Sequence, residues 1–259
     1  MLLVVDIGNT QTVVGIYEGQ RLLASWRIGT NRLNTADELR SIVLPLMSAE
    51  GLDPASIHRA AIASVVPQLT GAWQQAVRDV NGIEMLCCNA ETAAGLFSAH
   101  YPNPREIGAD RVADAVAASA RYGAPVVVVD FGTATNFEVI DRDGYFVGGI
   151  IAPGLQTSAG ALTSHGALLP ATALIAPALP IGTNTVEAIQ SGVMLGEADR
   201  VDGLVRRIFA QLGYEAAVVA TGGLAATMAP LCSTITEVNP NLTLEGLRLI
   251  LEEQERRGR

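Results

Sequence analysis

The chain opens on an apolar run, Leu2-Leu3-Val4-Val5, that stops at a carboxylate, Asp6, and then a glycine, Gly8. Apolar residues resume from Val13 to Tyr17, a turn signal follows at Glu18-Gly19, and a third apolar stretch runs from Arg21 to Ile28. Three β segments joined by tight turns are predicted. A helix is predicted from Thr35, because Thr35-x-x-Glu38 makes a capping box. Ala60 to Val65 reads as a further strand and Leu69 to Val80 as a helix.

The pattern then repeats. Val4-Val5-Asp6-Ile7-Gly8 returns as Val128-Val129-Asp130-Phe131-Gly132. Each copy continues into small hydroxylic or amide residues, Asn9-Thr10-Gln11-Thr12 and Thr133-Ala134-Thr135-Asn136. Each then resumes an apolar strand, turns at Glu18-Gly19 or Asp143-Gly144, and enters a third strand. Later elements of this half are helices at about 155–166 and 184–212, a strand at Ala216 to Ala220, a helix after Gly223 and a short strand near Ile235 to Val238. A last helix starts with Thr243 as its N-cap, and the charged tail Glu252 to Arg259 is expected to fray. A β-β-β-α-β-α order used twice predicts two α/β domains with mixed sheets, residues 1–120 and 121–259, divided before Ala124-Pro125.

Composition narrows the chemistry. Half of the 259 residues are apolar but only 5% are aromatic, so the core must be Ala, Val, Ile and Leu. A net charge of -9 argues against nucleic-acid or anionic-membrane binding. All 17 basic residues are Arg, and there is no Lys. A Walker-type phosphate loop and Schiff-base chemistry are therefore excluded. Phosphate must be held by backbone N–H groups, hydroxyls, Arg or a metal. Cys87, Cys88 and Cys232 have no Cys-x-x-Cys spacing and read as reduced thiols. The N-terminus lacks the basic segment of a signal peptide. The apolar stretch Ala171 to Ile181 is broken by Pro177 and Pro180 and is too short to span a bilayer. A cytoplasmic protein is expected.

The Asp-x-Gly-x-Thr arrangement has a physical logic. A buried strand delivers a carboxylate to its end, and Gly lets the backbone turn tightly and a phosphate approach. The following N–H groups and hydroxyls can bond phosphate oxygens, while the carboxylate holds a cation that neutralises them. Two such loops are expected to serve one phosphate cleft. The strand into Thr221-Gly222-Gly223 offers backbone against a flat adenine.

These loops resemble the superfamily of actin, hexokinase and heat-shock ATPases, with two duplicated ribonuclease H-like domains. Within it the chain resembles the type III pantothenate kinases over nearly its whole length. The matching stretches are Asp6-Ile7-Gly8-Asn9-Thr10, Tyr101-Pro102, Gly108-Ala109-Asp110-Arg111, Asp130-Phe131-Gly132-Thr133-Ala134-Thr135, Gly148-Gly149, Pro153-Gly154, Gly182-x-Asn184-Thr185-Val186-Glu187-Ala188, Gln190-Ser191-Gly192 and Thr221-Gly222-Gly223. The resemblance implies ATP-dependent phosphorylation of pantothenate to 4'-phosphopantothenate, the first step of coenzyme A biosynthesis. It implies ATP contacts at Asp6, Ile7, Gly8, Asn9, Thr10, Gln11, Thr12, Val13 and Thr133, with Gly222 and Gly223 at the adenosine. Asp110 would be the general base, and Tyr101, Gly108, Ala109, Asp110, Arg111 and Thr185 would contact pantothenate. Asp6 would hold magnesium through water, Asp130 would hold a monovalent cation (potassium or ammonium), and the protein would be a homodimer. An Asp beside an Arg is expected to stay ionised and fixed in place.

The chain also departs from the family pattern. Asn136 and Glu138 stand where Thr and Asp are usual, Gly160 replaces an Asp, and Leu168 and Thr183 replace Lys, with His165-Gly166 unusual beside them. These changes keep two alternatives open: a catalytically weak relative that acts as a binding or regulatory protein, or a kinase of the same superfamily with another hydroxylated acceptor. His58, His100 and His165 lack metal-ligand spacing. Asp199, Arg200 and Asp202 read as surface or subunit-contact residues.

Overall fold

A computed structural model describes residues 1–165 and 169–258. Gly166 and Leu168, and Arg259 of the tail, lie outside the described residues. The elements in chain order are β1 (Leu2–Ile7), β2 (Gln11–Glu18), β3 (Arg21–Gly29), α1 (Ala36–Ala49), β4 (Arg59–Ser64), α2 (Pro67–Asn81), β5 (Met85–Cys87), α3 (Ala109–Tyr122), β6 (Val126–Phe131), β7 (Ala134–Ile140), β8 (Phe146–Pro153), α4 (Leu155–His165), α5 (Thr185–Gln190), α6 (Gly196–Leu212), β9 (Ala217–Thr221), α7 (Ala225–Met228), β10 (Glu237–Val238) and α8 (Leu242–Arg257).

The chain divides into two compact units, residues 1–117 with 242–259, and residues 118–241. The sequence repeat is a structural one. The sheet of unit 1 runs β3-β2-β1-β4-β5 and that of unit 2 runs β8-β7-β6-β9-β10. In each, the central strand pairs antiparallel with the next strand in sequence and parallel with the strand after the crossover. Even the irregularity between the second and third strands recurs, at Ile16/Tyr17 and Val139/Ile140. The unbroken apolar runs have a simple cause: β1 and β6 are central, and Leu2, Val4, Val5 and Val126 to Val129 are fully buried on both faces.

In unit 1, Val5, Ile7, Val14 and Ile16 pack with Leu39 and Val43 of α1 and with Trp73 and Val77 of α2. Helix α1 starts as expected: Glu38 N donates to Thr35 Oγ1 at 3.3 Å, and Thr35 N donates back to Glu38 Oε2 at 2.7 Å. The last helix, placed with the second half on the sequence, belongs to unit 1, where α8 packs on β1, β2 and β4. Two glycines make this possible. A Cβ on Gly246 would lie 2.0 Å from the Ala113 carbonyl oxygen of α3, and one on Gly15 would lie 2.9 Å from Leu244. Thr243 is not the N-cap, since the helix already includes Leu242; its hydroxyl donates to buried Asp114 at 2.7 Å. The charged tail does not fray within the described residues. Arg59 pairs with Glu255 at 3.0 Å, Gln254 donates to the Thr92 carbonyl at 2.6 Å, and the helix continues to Arg257.

In unit 2, Val127, Val129, Phe131, Phe137 and Val139 pack with Leu155, Met194, Val201 and Val205. The single helix expected over 184–212 is two, α5 and α6, joined by a π-helical turn at Ser191–Leu195. The side chains there fasten the long preceding segment: Gln190 Nε2 donates to Ala173 O at 2.9 Å and Ser191 Oγ to Pro180 O at 2.5 Å.

Arg200 and Asp202 are not simple surface residues. Arg200 pairs with Glu197 and donates to Pro153 O. The Asp202 carboxylate is buried and accepts from the N–H and hydroxyl groups of both Ser233 and Thr234. Burial pushes its pKa up, but these four donors outweigh that and hold it below the usual value. A depressed carboxylate stabilises the fold above its unfolded pKa of about 3.9 and loses that contribution as pH falls through its folded value. Asp202→Ala is expected to lower the unfolding free energy by about 3 kcal/mol. In urea denaturation across pH, the variant should also lose the part of the acid sensitivity that Asp202 carries.

Candidate active site

In unit 1, β1 carries half-buried Asp6 to the carboxyl end of the central strand, where α/β sheets bind ligands. The loop after it turns tightly, with Gly8 N donating to Gln11 O at 3.0 Å. Asn9, Thr10 and Gln11 are exposed, whereas Thr12 is buried and turned inward. Thr12 Oγ1 shares a hydrogen bond with Thr30 Oγ1 at 2.9 Å. Thr30 itself grips the loop twice more: its hydroxyl donates to Gly8 O at 2.8 Å and its N–H to Thr10 O at 2.9 Å. Two guanidiniums then stand at the loop. Arg32 Nη2 donates to Asn9 Oδ1 at 2.9 Å, and Arg27 Nη1 donates to Gln11 Oε1 at 3.2 Å.

Asp110 lies in the first turn of α3 and is half-buried. Arg111 N donates to its Oδ1 at 2.8 Å. Gly108 explains the spacing, because a Cβ there would lie 2.5 Å from Asp110 Oδ1. Burial pushes the Asp110 carboxyl above the usual carboxylate range, against the opposing pull of the Arg111 N–H and guanidinium. Loss of hydration outweighs Arg111, which makes Asp110 a stronger base than an ordinary Asp. The Cys88 thiol, in the field of Asp110, Asp6 and Asp114, donates to Ala109 O at 3.3 Å. Burial, then these three carboxylates, push the Cys88 thiol up, so it is inert at neutral pH. Tyr101 is half-buried in the loop that leads to this helix.

In unit 2, Asp130 occupies on β6 the place of Asp6 on β1, directly across the ladder from Asn136 on β7 and Thr221 on β9. The Thr221-Gly222 turn closes onto it. Gly222 has φ +90, and a Cβ there would lie 2.2 Å from Asp130 Oδ1 and 2.7 Å from Phe131 O. Gly154 sits as closely against the loop at Gly132 and Thr133, with Gly154 N donating to Thr133 O at 3.2 Å. Exposed Thr133 is therefore held by its backbone. Thr135 is buried and donates to Glu197 Oε1 at 2.6 Å.

Thr185 starts α5, where Asn184 caps the helix by accepting from Glu187 N at 3.0 Å. It lines a cavity of about 550 Å³ with Leu162, Thr183 and Ile189. Thr183, in the position of a missing Lys, donates its N–H and hydroxyl to Glu187 Oε2, both at 2.8 Å. The substitution leaves the carboxylate satisfied.

A family model described as type III pantothenate kinase matches residues 2–207. The type III pantothenate kinase of Roseiflexus sp. (strain RS-1) is 48% identical over 252 residues, covering 97% of this chain and 98% of that protein. That of Thermomicrobium roseum is 46% identical over 256 residues, covering 99% and 98%. The chain belongs to the type III pantothenate kinase family. Its activity is accordingly the ATP-dependent phosphorylation of pantothenate, a phosphotransfer to an alcohol in coenzyme A biosynthesis. Among solved structures, the activator of the 2-hydroxyisocaproyl-CoA dehydratase from Clostridium difficile with bound ADPNP matches with a TM-score of 0.59 at 15% identity, covering 99% of this chain and 96% of that one. It shares the fold of two five-stranded mixed sheets with helices.

Thr30, Arg32 and Glu197 are the residues at these loops that motif reading passes over. Only Glu197 carries a local signal, a carboxylate on the buried face of an amphipathic helix. Gly108→Ala tests the cradle. It is expected to displace the Asp110 carboxylate and lower turnover by about 10²-fold, since a misplacement near 1 Å has that effect. The melting temperature should hardly move, because only a side-chain oxygen has to give way.

Proposed function

We propose that Asp110 is the general base of the pantothenate kinase reaction. It accepts the proton of the pantothenate primary hydroxyl as that oxygen attacks the γ-phosphorus of ATP. A bond forms between the alcohol oxygen and phosphorus, the bond from phosphorus to the β-bridging oxygen breaks, and ADP leaves with that electron pair. The observation that carries the reading is a half-buried, proton-hungry carboxylate held by Arg111 N–H beside a glycine that leaves it room. Tyr101, Gly108, Ala109, Arg111 and Thr185 contact pantothenate, with Arg111 matched to its carboxylate.

The backbone from Asp6 to Val13 binds ATP phosphates, and Asp6 holds magnesium through water. The fit is one of donor chemistry: Asp6 is a half-buried carboxylate at the end of β1, a hard oxygen donor of the kind magnesium takes. Magnesium supplies neutralisation of phosphate charge. Thr133, Gly222 and Gly223 serve the nucleotide, and Asp130 holds a potassium or ammonium ion. Asp130 Oδ1 and Phe131 O both lie against the Gly222 turn, and both are hard oxygens of the kind such an ion takes. Exposed Ile175, Leu179 and Ile181, close in sequence to Thr185, support a homodimer that covers them. A cytoplasmic location agrees with three free thiols, and none of the described helices is long and apolar enough to cross a membrane.

Pantothenate-dependent ADP release should collapse by about 10²–10⁴-fold in Asp110→Asn. Because burial raises the Asp110 pKa and the base must be ionised, kcat/KM should fall with acid at a pH above the ordinary Asp value of about 3.9. That limb should be absent from the residual activity of the Asn variant. Saturable ATP binding with no pantothenate-dependent turnover in the wild type would favour the binding-protein reading instead. Replacing potassium by sodium is expected to cut the rate, and equal rates in the two salts would remove the monovalent cation from the scheme.

A further inference from the structure

A kinase without a single lysine must still set a positive charge against the phosphoryl group it transfers, since that group carries its charge on oxygens that catalysis has to stabilise. We propose that Arg32 supplies this charge, binding the terminal phosphate of ATP at the mouth of the Asp6 loop. No sequence motif points to it; it follows from the segment between β3 and α1. The proposal rests on the kinase reading only for its effect on turnover.

Three observations carry it. First, Arg32 is exposed and already directed at the loop, with Nη2 on Asn9 Oδ1 at 2.9 Å. Asn9 is exposed as well and follows Gly8 at the turn. One N–H of the guanidinium is committed to Asn9, and an arginine carries five, so the fork keeps donors for phosphate oxygens. Second, the segment is pinned at both ends and does not depend on Arg32 for its shape. Thr30 makes three bonds to the loop, at Gly8 O, Thr10 O and Thr12 Oγ1. Thr35 closes the other end as the capping-box residue of α1, and Asn31 Oδ1 and Asn31 O accept from Leu33 N and Asn34 N between them. Third, no carboxylate pairs with Arg32 in an ion pair among the described residues, unlike Arg40, Arg59 or Arg78, which are each spent on an acid. The cation is thus held in place beside the phosphate loop with its charge uncompensated, the preorganised condition for stabilising an anion.

The test uses full-length wild type, Arg32→Ala and Arg32→Lys. Binding of a non-hydrolysable ATP analogue and of ADP, each with magnesium, is measured by calorimetry, alongside pantothenate-dependent ADP formation and thermal melting. Arg32→Ala is expected to lower kcat by about 10²-fold, the scale set by loss of one electrostatic donor. It should weaken the ATP analogue by about tenfold and leave ADP within about twofold, because only the analogue carries the terminal phosphate. Arg32→Lys should recover part of the loss, since it restores the charge but not the fork. The melting temperature should stay unchanged. Analogue affinity and kcat both within about threefold of wild type in Arg32→Ala would overturn the proposal. Equal weakening of analogue and ADP with a lowered melting temperature would also overturn it, and would leave Arg32 as a brace for the loop. If wild type forms no ADP in response to pantothenate, the kinase reading fails, while the analogue-against-ADP comparison still decides the role of Arg32.

Discussion

A strand buried on both faces can end only where something takes over its polar backbone, and the central strand of each sheet here ends in a carboxylate, one apolar residue and a glycine. Val126 to Val129 and Leu2 to Val5 have no solvent-facing side, so β1 and β6 are the fixed points of their sheets. The two Asp-x-Gly loops hang on their carboxyl ends. Asp6 and Asp130 leave the core at the same register position in the two copies, and the chain after each must turn back at once to form the next antiparallel strand. The turn leaves backbone N–H groups and short polar side chains at the surface, which is the material of a phosphate site.

Close packing of backbone then decides which glycines are required. Gly222 and Gly154 are pressed onto the Asp130–Thr133 loop, Gly108 leaves room for the Asp110 carboxylate, and Gly246 lets α8 cross α3 at backbone contact distance. A methyl group at Gly154, Gly222 or Gly246 would meet main-chain atoms, which cannot rotate away as a side chain can. These glycines are thus required by close backbone packing rather than by turn flexibility in general.

The absence of lysine reshapes the electrostatics. The lysine positions of the family pattern are filled by neutral residues, and Thr183 donates its hydroxyl and its N–H to Glu187. Among side chains, only arginine is left to carry a fixed positive charge. At Asp110, lost hydration outweighs the neighbouring Arg111, so the carboxylate gains basicity. At Asp202 the balance falls the other way, because four donors meet one carboxylate. The same residue type is thus made more basic in one place and less basic in another, and the count of hydrogen-bond donors separates them.

Much of this was legible in the chain alone. The apolar runs, the doubled Asp-x-Gly and the Thr35-Glu38 box are local patterns, and local patterns predict the strands, their repetition and the start of α1. The phosphate-loop residues and Asp110 could be picked out because their spacing is itself the chemistry. What the sequence could not decide depends on residues far apart along it. The return of α8 to unit 1 rests on a glycine meeting a carbonyl more than a hundred positions away. The burial of Asp202 rests on Ser233 and Thr234, and the placing of Arg32 rests on the bonds of Thr30 to Gly8, Thr10 and Thr12. Hydrophobic periodicity reports which face of an element is buried. Which polar group meets which across that face is settled only when the elements pack.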